Sequence, residues 1–193
     1  VISVVRRPGA RYPDDASAFS PSERYPEYRF GAIAAVENPV YAMVRQCLAQ
    51  LELDGARYGT PSWNPLGAWV RPGAQVFVLS NFVYHRRGRE SLHDFHGKVV
   101  HGSVLRALID YVLIAAGEGG QVLVGNAPLQ SCRFQDVLKE SGAAAMIDFY
   151  REMGARVEPE DLRAEVVERD AVGRVRSREL RADPSSSVEI DLG

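Results

Sequence analysis

Apolar residues recur along this chain with two different spacings. Val40, Met43, Val44, Cys47, Leu48 and Leu51 repeat at helical spacing along one face. Asn38 suits the N-cap of that helix, Pro39 suits its first position, and Gly55 lies near its end. Val104, Leu105, Leu108, Ile109, Val112 and Leu113 repeat the pattern, with Ser103 as the expected cap and Gly117 as terminator. A third helical region covers about 134–153, breaks near Ser141-Gly142 and stops at Gly154. Between the helices stand short apolar runs at 74–80 and 121–125, which read as buried strands. Arg156-Val157-Glu158 reads as a third short strand, closed by Pro159. Strand and helix therefore alternate from 74 to 158, the pattern of right-handed crossovers and a parallel sheet.

Outside that alternation the patterning changes. Val1 to Val5 reads as a strand. Residues 7–37 are rich in Pro, Tyr, Arg and Ser, and read as an extended excursion pinned by its aromatic residues. Glu27 sits there between tyrosines with no evident partner, and Trp63 and Trp69 fall in a loop over 58–72. Arg163 to Glu168 and Arg174 to Leu180 predict a hairpin with Gly173 in its turn. Val188 to Leu192 begins another alternating strand, which ends without a partner. The expected fold is α/β: a mainly parallel sheet with flanking helices and a small antiparallel C-terminal extension. It is one domain over 1–193, divided into an extended segment plus helix (1–72), a βαβ core (73–160) and a hairpin with a strand (161–193). The unpartnered last strand leads us to expect the N-terminal part of a longer protein.

Composition narrows the function classes. At 193 residues with a net charge of −2, the chain has no broad basic excess, so nucleic acid is not an expected partner. No apolar run is long enough to span a membrane and no secretory leader is evident, so a cytoplasmic, non-membrane protein is expected. The two cysteines, Cys47 and Cys132, form neither a disulfide framework nor a cluster-binding spacing.

Candidate chemistry gathers behind two of the strands. In open α/β sheets, ligands bind outside the carboxyl ends of the strands. Asn81 directly follows the run 74–80, and all four histidines, His85, His93, His96 and His101, lie just beyond it. The loop Gly125-Asn126-Ala127-Pro128-Leu129-Gln130 follows the run 121–125. Gly125 would let the backbone approach a ligand, and Asn81, Asn126 and Gln130 are the candidate substrate contacts. His101 is the first choice as general acid/base, because imidazole titrates near neutrality, and His85 is the second. His101 would face a substrate beside free backbone N–H groups of the helix, or else simply cap it. His93 and His96, three residues apart, would share a helix face and are candidate ligands of a divalent metal. Cys132 would be a nucleophile only if folding brought His85 or His101 to it. Asp161 and Arg163 also follow a strand.

The motifs together suggest a family. Val70-Arg71-Pro72-Gly73-Ala74-Gln75-Val76 through Asn81-Phe82-Val83, Val100-His101-Gly102-Ser103-Val104, Ala107 to Tyr111 and Gly125 to Phe134 are the main runs. With Tyr25-Pro26-Glu27-Tyr28, Asn38, Tyr41 and Trp63-Asn64-Pro65-Leu66-Gly67, this resembles domain of unknown function family 362. The likeness is to its longer branch, found near polysaccharide and natural-product biosynthesis genes, and it runs through nearly the whole chain. That pattern has Lys before the strand-end Asn and Asp at two positions held here by Asn126 and Arg133, so the crevice carries a different charge. The resemblance implies an α/β fold and no settled activity. The leading expectation is an enzyme of secondary-metabolite or surface-polysaccharide biosynthesis with a polar small-molecule substrate at the strand ends. The alternative is a non-catalytic binding or assembly module, or half of a larger enzyme. A homo-oligomer, or a second chain supplying a missing C-terminal part, is the expected partner.

Overall fold

The computed structural model describes residues 2–170 and 172–181. The first long helix, α1, is Pro39–Gln50, and the first strand, β1, is Gln75–Leu79. There follow α2 (Leu92–His96), α3 (Gly102–Ala116), β2 (Gln121–Asn126), α4 (Phe134–Glu140), α5 (Ala143–Glu152) and β3 (Arg156–Asp161). Strands β1, β2 and β3 form a parallel sheet in that spatial order, with Gln75 opposite Gln121 and Gln121 opposite Arg156. Two right-handed crossovers that advance in the same direction put their helices on the same face. The pleat then divides the strand residues. Val76, Val78, Val122, Val124 and Val157 join the main core with Ile109, Val137, Met146 and Ile147. Phe77 and Leu79, on the other face, remain 38% and 71% exposed.

Near the C-terminus β4 (Glu165–Arg169) and β5 (Val175–Leu180) pair as a separate antiparallel hairpin. The fold is the expected α/β arrangement with its small antiparallel extension. Several boundaries differ from the sequence expectation. Residues 2–6 form no strand. Pro159 does not close β3 but lies within it, opposite Val124. This is tolerated because β3 is an outer strand, where one row of N–H groups needs no partner. The strand expected at Val188–Leu192 lies outside the described residues.

Helix α3 controls the interior. Its predicted apolar stripe is narrower than its buried surface, since Arg106, Asp110, Tyr111, Ile114 and Ala115 are buried as well. The sheet and α5 cover one side. Helix α1 and the aromatic excursion cover the other, so polar residues of α3 are enclosed. A buried charge is tolerated only when it is paired and hydrogen-bonded. Asp110 accepts hydrogen bonds from Arg106 Nε (3.2 Å), Tyr41 Oη (2.9 Å) and Tyr150 Oη (2.7 Å). Arg106 also donates to Tyr28 Oη at 2.8 Å, and its guanidinium lies 3.5 Å from the Phe149 ring centre. Burial pushes the Asp110 carboxyl upward against the pull of Arg106.

The second buried pair gives Glu27 its partner. Arg45 of α1 meets both Glu27 oxygens, at 2.7 and 3.3 Å, and Tyr111 Oη donates to Glu27 at 3.0 Å. The Arg45 guanidinium sits over Tyr25, Tyr58 and Trp63 at 4.2, 4.7 and 5.1 Å from the ring centres. The excursion is thus held by ion pairs as well as by the aromatic packing that the sequence predicts. Arg45→Met would strand Glu27 in the interior, and we expect it to cost about 3–5 kcal/mol in chemical denaturation. Adding Glu27→Gln should recover more than half of that loss. A double variant as unstable as the single one would show that the pair is not the main contact.

Candidate functional site

The carboxyl ends of β1, β2 and β3 lie side by side, but most of the polar groups there hold the strands together. Asn126 Nδ2 donates to Ser80 O at 2.6 Å, and its Oδ1 accepts from Ala127 N at 2.7 Å. Asn81 Nδ2 donates to Lys98 O at 2.9 Å. Gly125 is needed for a reason other than ligand approach. A Cβ there would lie 1.8 Å from the backbone oxygen of Glu160 on β3.

His101, rather than Ser103, caps α3. Its Nδ1 accepts from Ser103 N at 3.2 Å, which assigns the proton to Nε2. The helix N-terminus has few free donors, because Gly102 N is bonded to Ser141 O at 2.7 Å. A Cβ on Gly102 would come within 2.5 Å of the Gly142 backbone, so the α4–α5 break receives the start of α3. The His101 ring is stacked on Tyr12 at 4.3 Å and meets Phe19 edge-on at 5.3 Å. Burial, with His96 beside it, pushes the imidazole down to about 4. Of the two sequence readings of His101, the structure bears out the capping one.

Of the other histidines, His96 meets His101 edge-on with ring centres 4.6 Å apart. His85 is buried and stacked on Tyr84, and its Nδ1 accepts from Arg133 N at 3.2 Å. Burial, and then Arg133, holds its imidazole below the usual range. His96 Nε2 bonds Glu140 O at 3.0 Å, whereas His93 is exposed. Among the described residues no three His, Cys, Asp or Glu side chains come together as a metal-binding set.

An open cleft of about 1140 Å³ lies beside these strand ends, between the loop 129–135 and the hairpin. Gln130 bridges its two walls: Nε2 donates to Glu165 O at 2.8 Å and Oε1 accepts from Val167 N at 3.1 Å. The floor is fixed by Arg163, whose Nε and Nη2 grip Asp161. Its Nη1 donates to Gln130 O and Cys132 O, both at 3.1 Å. Burial opposes ionisation of Asp161, but the Arg163 hydrogen bonds outweigh it and hold that carboxyl below the usual range. Burial pushes the Cys132 thiol up, the opposite of what a nucleophile needs.

Of the residues singled out in the sequence, Gln130, Cys132, Asp161 and Arg163 line this cleft, whereas Asn81, Asn126 and the four histidines do not. Arg169 and Arg176 also line it and had no sequence signal. Arg169 lies opposite Val175, whereas Glu168 lies opposite Ser177, so Arg176 is the extra residue of a β-bulge. Only pairing register reveals that.

The folded His101 pKa lies below its ordinary 6.5, so its contribution to stability is complete above pH 6.5 and is lost as pH falls through about 4. His101→Asn keeps a capping oxygen without the titration. Denaturation at pH 7 and pH 4 should show wild type losing about 3 kcal/mol more than the variant. Equal losses would remove His101 as the acid-sensitive group. Separately, Arg163→Ala should speed amide exchange across 129–133 and cost about 3 kcal/mol. Unchanged exchange would mean that the loop is held by other contacts. No protein-family model, curated protein or solved structure matches this chain.

Proposed function

We propose that this chain is a small-molecule binding module whose ligand occupies the cleft between loop 129–135 and the β4–β5 hairpin. It would serve secondary-metabolite or surface-polysaccharide biosynthesis, the setting implied by the family resemblance. The observation that carries the binding reading is the position of the cleft, beside the carboxyl ends of β2 and β3, where open α/β sheets take ligands. Its volume, about 1140 Å³, lies just above the roughly 300–1,000 Å³ of small-molecule and cofactor sites, as befits an open cleft.

The same geometry favours a module, or part of a larger enzyme, over self-contained catalysis. Neither His85 nor His101 lines the cleft. Asp161 is committed to Arg163, and the Cys132 thiol is held protonated. Of the other lining carboxylates, Glu168 accepts from Ser177 Oγ and Asp170 from Val172 N and Arg174 N, so an acid/base pair would come from elsewhere. Among the described residues no helix is long and apolar enough to cross a membrane.

Saturation-transfer NMR with a panel of sugars, polyols and hydroxy acids tests this reading. Hits should shift the amides of 129–135 and 165–170, and Val167→Trp, which fills the cleft, should weaken them at least tenfold. Shifts confined to the His85–His101 segment would overturn the proposal and restore a histidine-centred site.

A further inference from the structure

We infer that the ligand of this cleft carries a phosphate group, seated against Arg169 and Arg176. This rests on the cleft being the binding site.

The charge of the lining points to an anion. Arg133, Arg163, Arg169, Arg176 and Arg181 line the cleft against three carboxylates, Asp161, Glu168 and Asp170. The two positive charges of Arg169 and Arg176 match a phosphate monoester, which carries close to two negative charges at neutral pH. Three of the arginines are already engaged. Arg163 is saturated by Asp161 and backbone carbonyls. Arg181 is held by Asp161 and Glu179, and Arg133 by Asp136.

The two arginines of the bulge differ. Among the described residues Arg169 donates to the Gly173 carbonyl, at 2.9 Å, and neither it nor Arg176 has a carboxylate partner. They stand at neighbouring positions of the hairpin, on opposite strands, where the bulge interrupts the regular alternation of β5. Bulges re-aim side chains in this way. Two planar guanidinium forks from adjacent strands can supply several N–H donors to one tetrahedral oxyanion, and a single carboxylate would use fewer of them. The apolar part of the lining, Leu129, Phe134, Val166 and Val167, leaves room for the body of an organic ester.

Amide NMR titrations of the full chain with glucose 1-phosphate and with glucose test the inference. Glucose 1-phosphate should shift residues 165–170 and 174–178 saturably, and glucose at equal concentration should not. The double variant Arg169→Gln, Arg176→Gln should weaken the phosphate ester at least tenfold, while Arg174→Gln, outside the cleft, should leave it unchanged. Equal responses to the two compounds would overturn the phosphate assignment and leave the cleft as a neutral-ligand site. A phosphate response that survives the double variant would also overturn it. Silence from both compounds and from inorganic pyrophosphate would end the inference, and the cleft would then stand or fall on the neutral panel.

Discussion

Burial of α3 on nearly every side is the constraint on which the remaining structure depends. A helix that packs only on a sheet can keep its polar residues in water. Here Arg106, Asp110 and Tyr111 are enclosed by α1 and by the segment before it. Each enclosed polar group needs a partner, and the partners come from sequence-distant positions: Glu27, Tyr28, Tyr41 and Tyr150. The long excursion that opens the chain is therefore part of the core. Its Glu27 and α1's Arg45 complete a polar layer that sheet and crossovers alone would leave unsatisfied.

The same packing shapes the functional region. Because α3 is held so closely, its start is sealed by His101, Ser141 and the Gly142 backbone, and its first turn offers no open anion cradle. The strand-end amides Asn81 and Asn126 are spent on tying loops to strands. Space for a ligand remains farther along, where β3 leads into the hairpin and Arg163 fixes the adjoining loop. The cleft is thus displaced from the helix N-terminus toward the β4–β5 ribbon, and neither His85 nor His101 lines it. In the proposed function, that displacement would favour charge recognition over proton transfer.

Much of the architecture was legible in the residues. Val76, Val78, Val122, Val124 and Val157 mark the strands by their run and β-branching, and Asn38-Pro39, Gly117, Ser141-Gly142 and Gly154 mark helix ends through local backbone preferences. These signals are local, so neighbouring residues suffice to express them. Val1 to Val5 has strand composition, yet residues 2–6 form no strand, because a strand also needs a pairing neighbour that composition does not supply. Pro159 looks like a strand end in the sequence, but its tolerance within β3 depends on β3 being an outer strand, which is a property of the sheet.

The sequence alone therefore determined the alternation of strands and helices, the parallel sheet and the hairpin, since these follow from side-chain periodicity and backbone preference. Tertiary structure decided which polar residues were available for chemistry. Asn81 and Asn126 have the residue types of a site, but their side-chain amides already bond Lys98 O and Ser80 O, groups that folding brings to them. Arg169 and Arg176 look like ordinary surface charges until the strand register and its bulge set them together beside the cleft. The physical reason is the same for the amides and for the arginines. Hydrogen-bond satisfaction and charge pairing depend on distances across the fold, and spacing along the chain does not encode them.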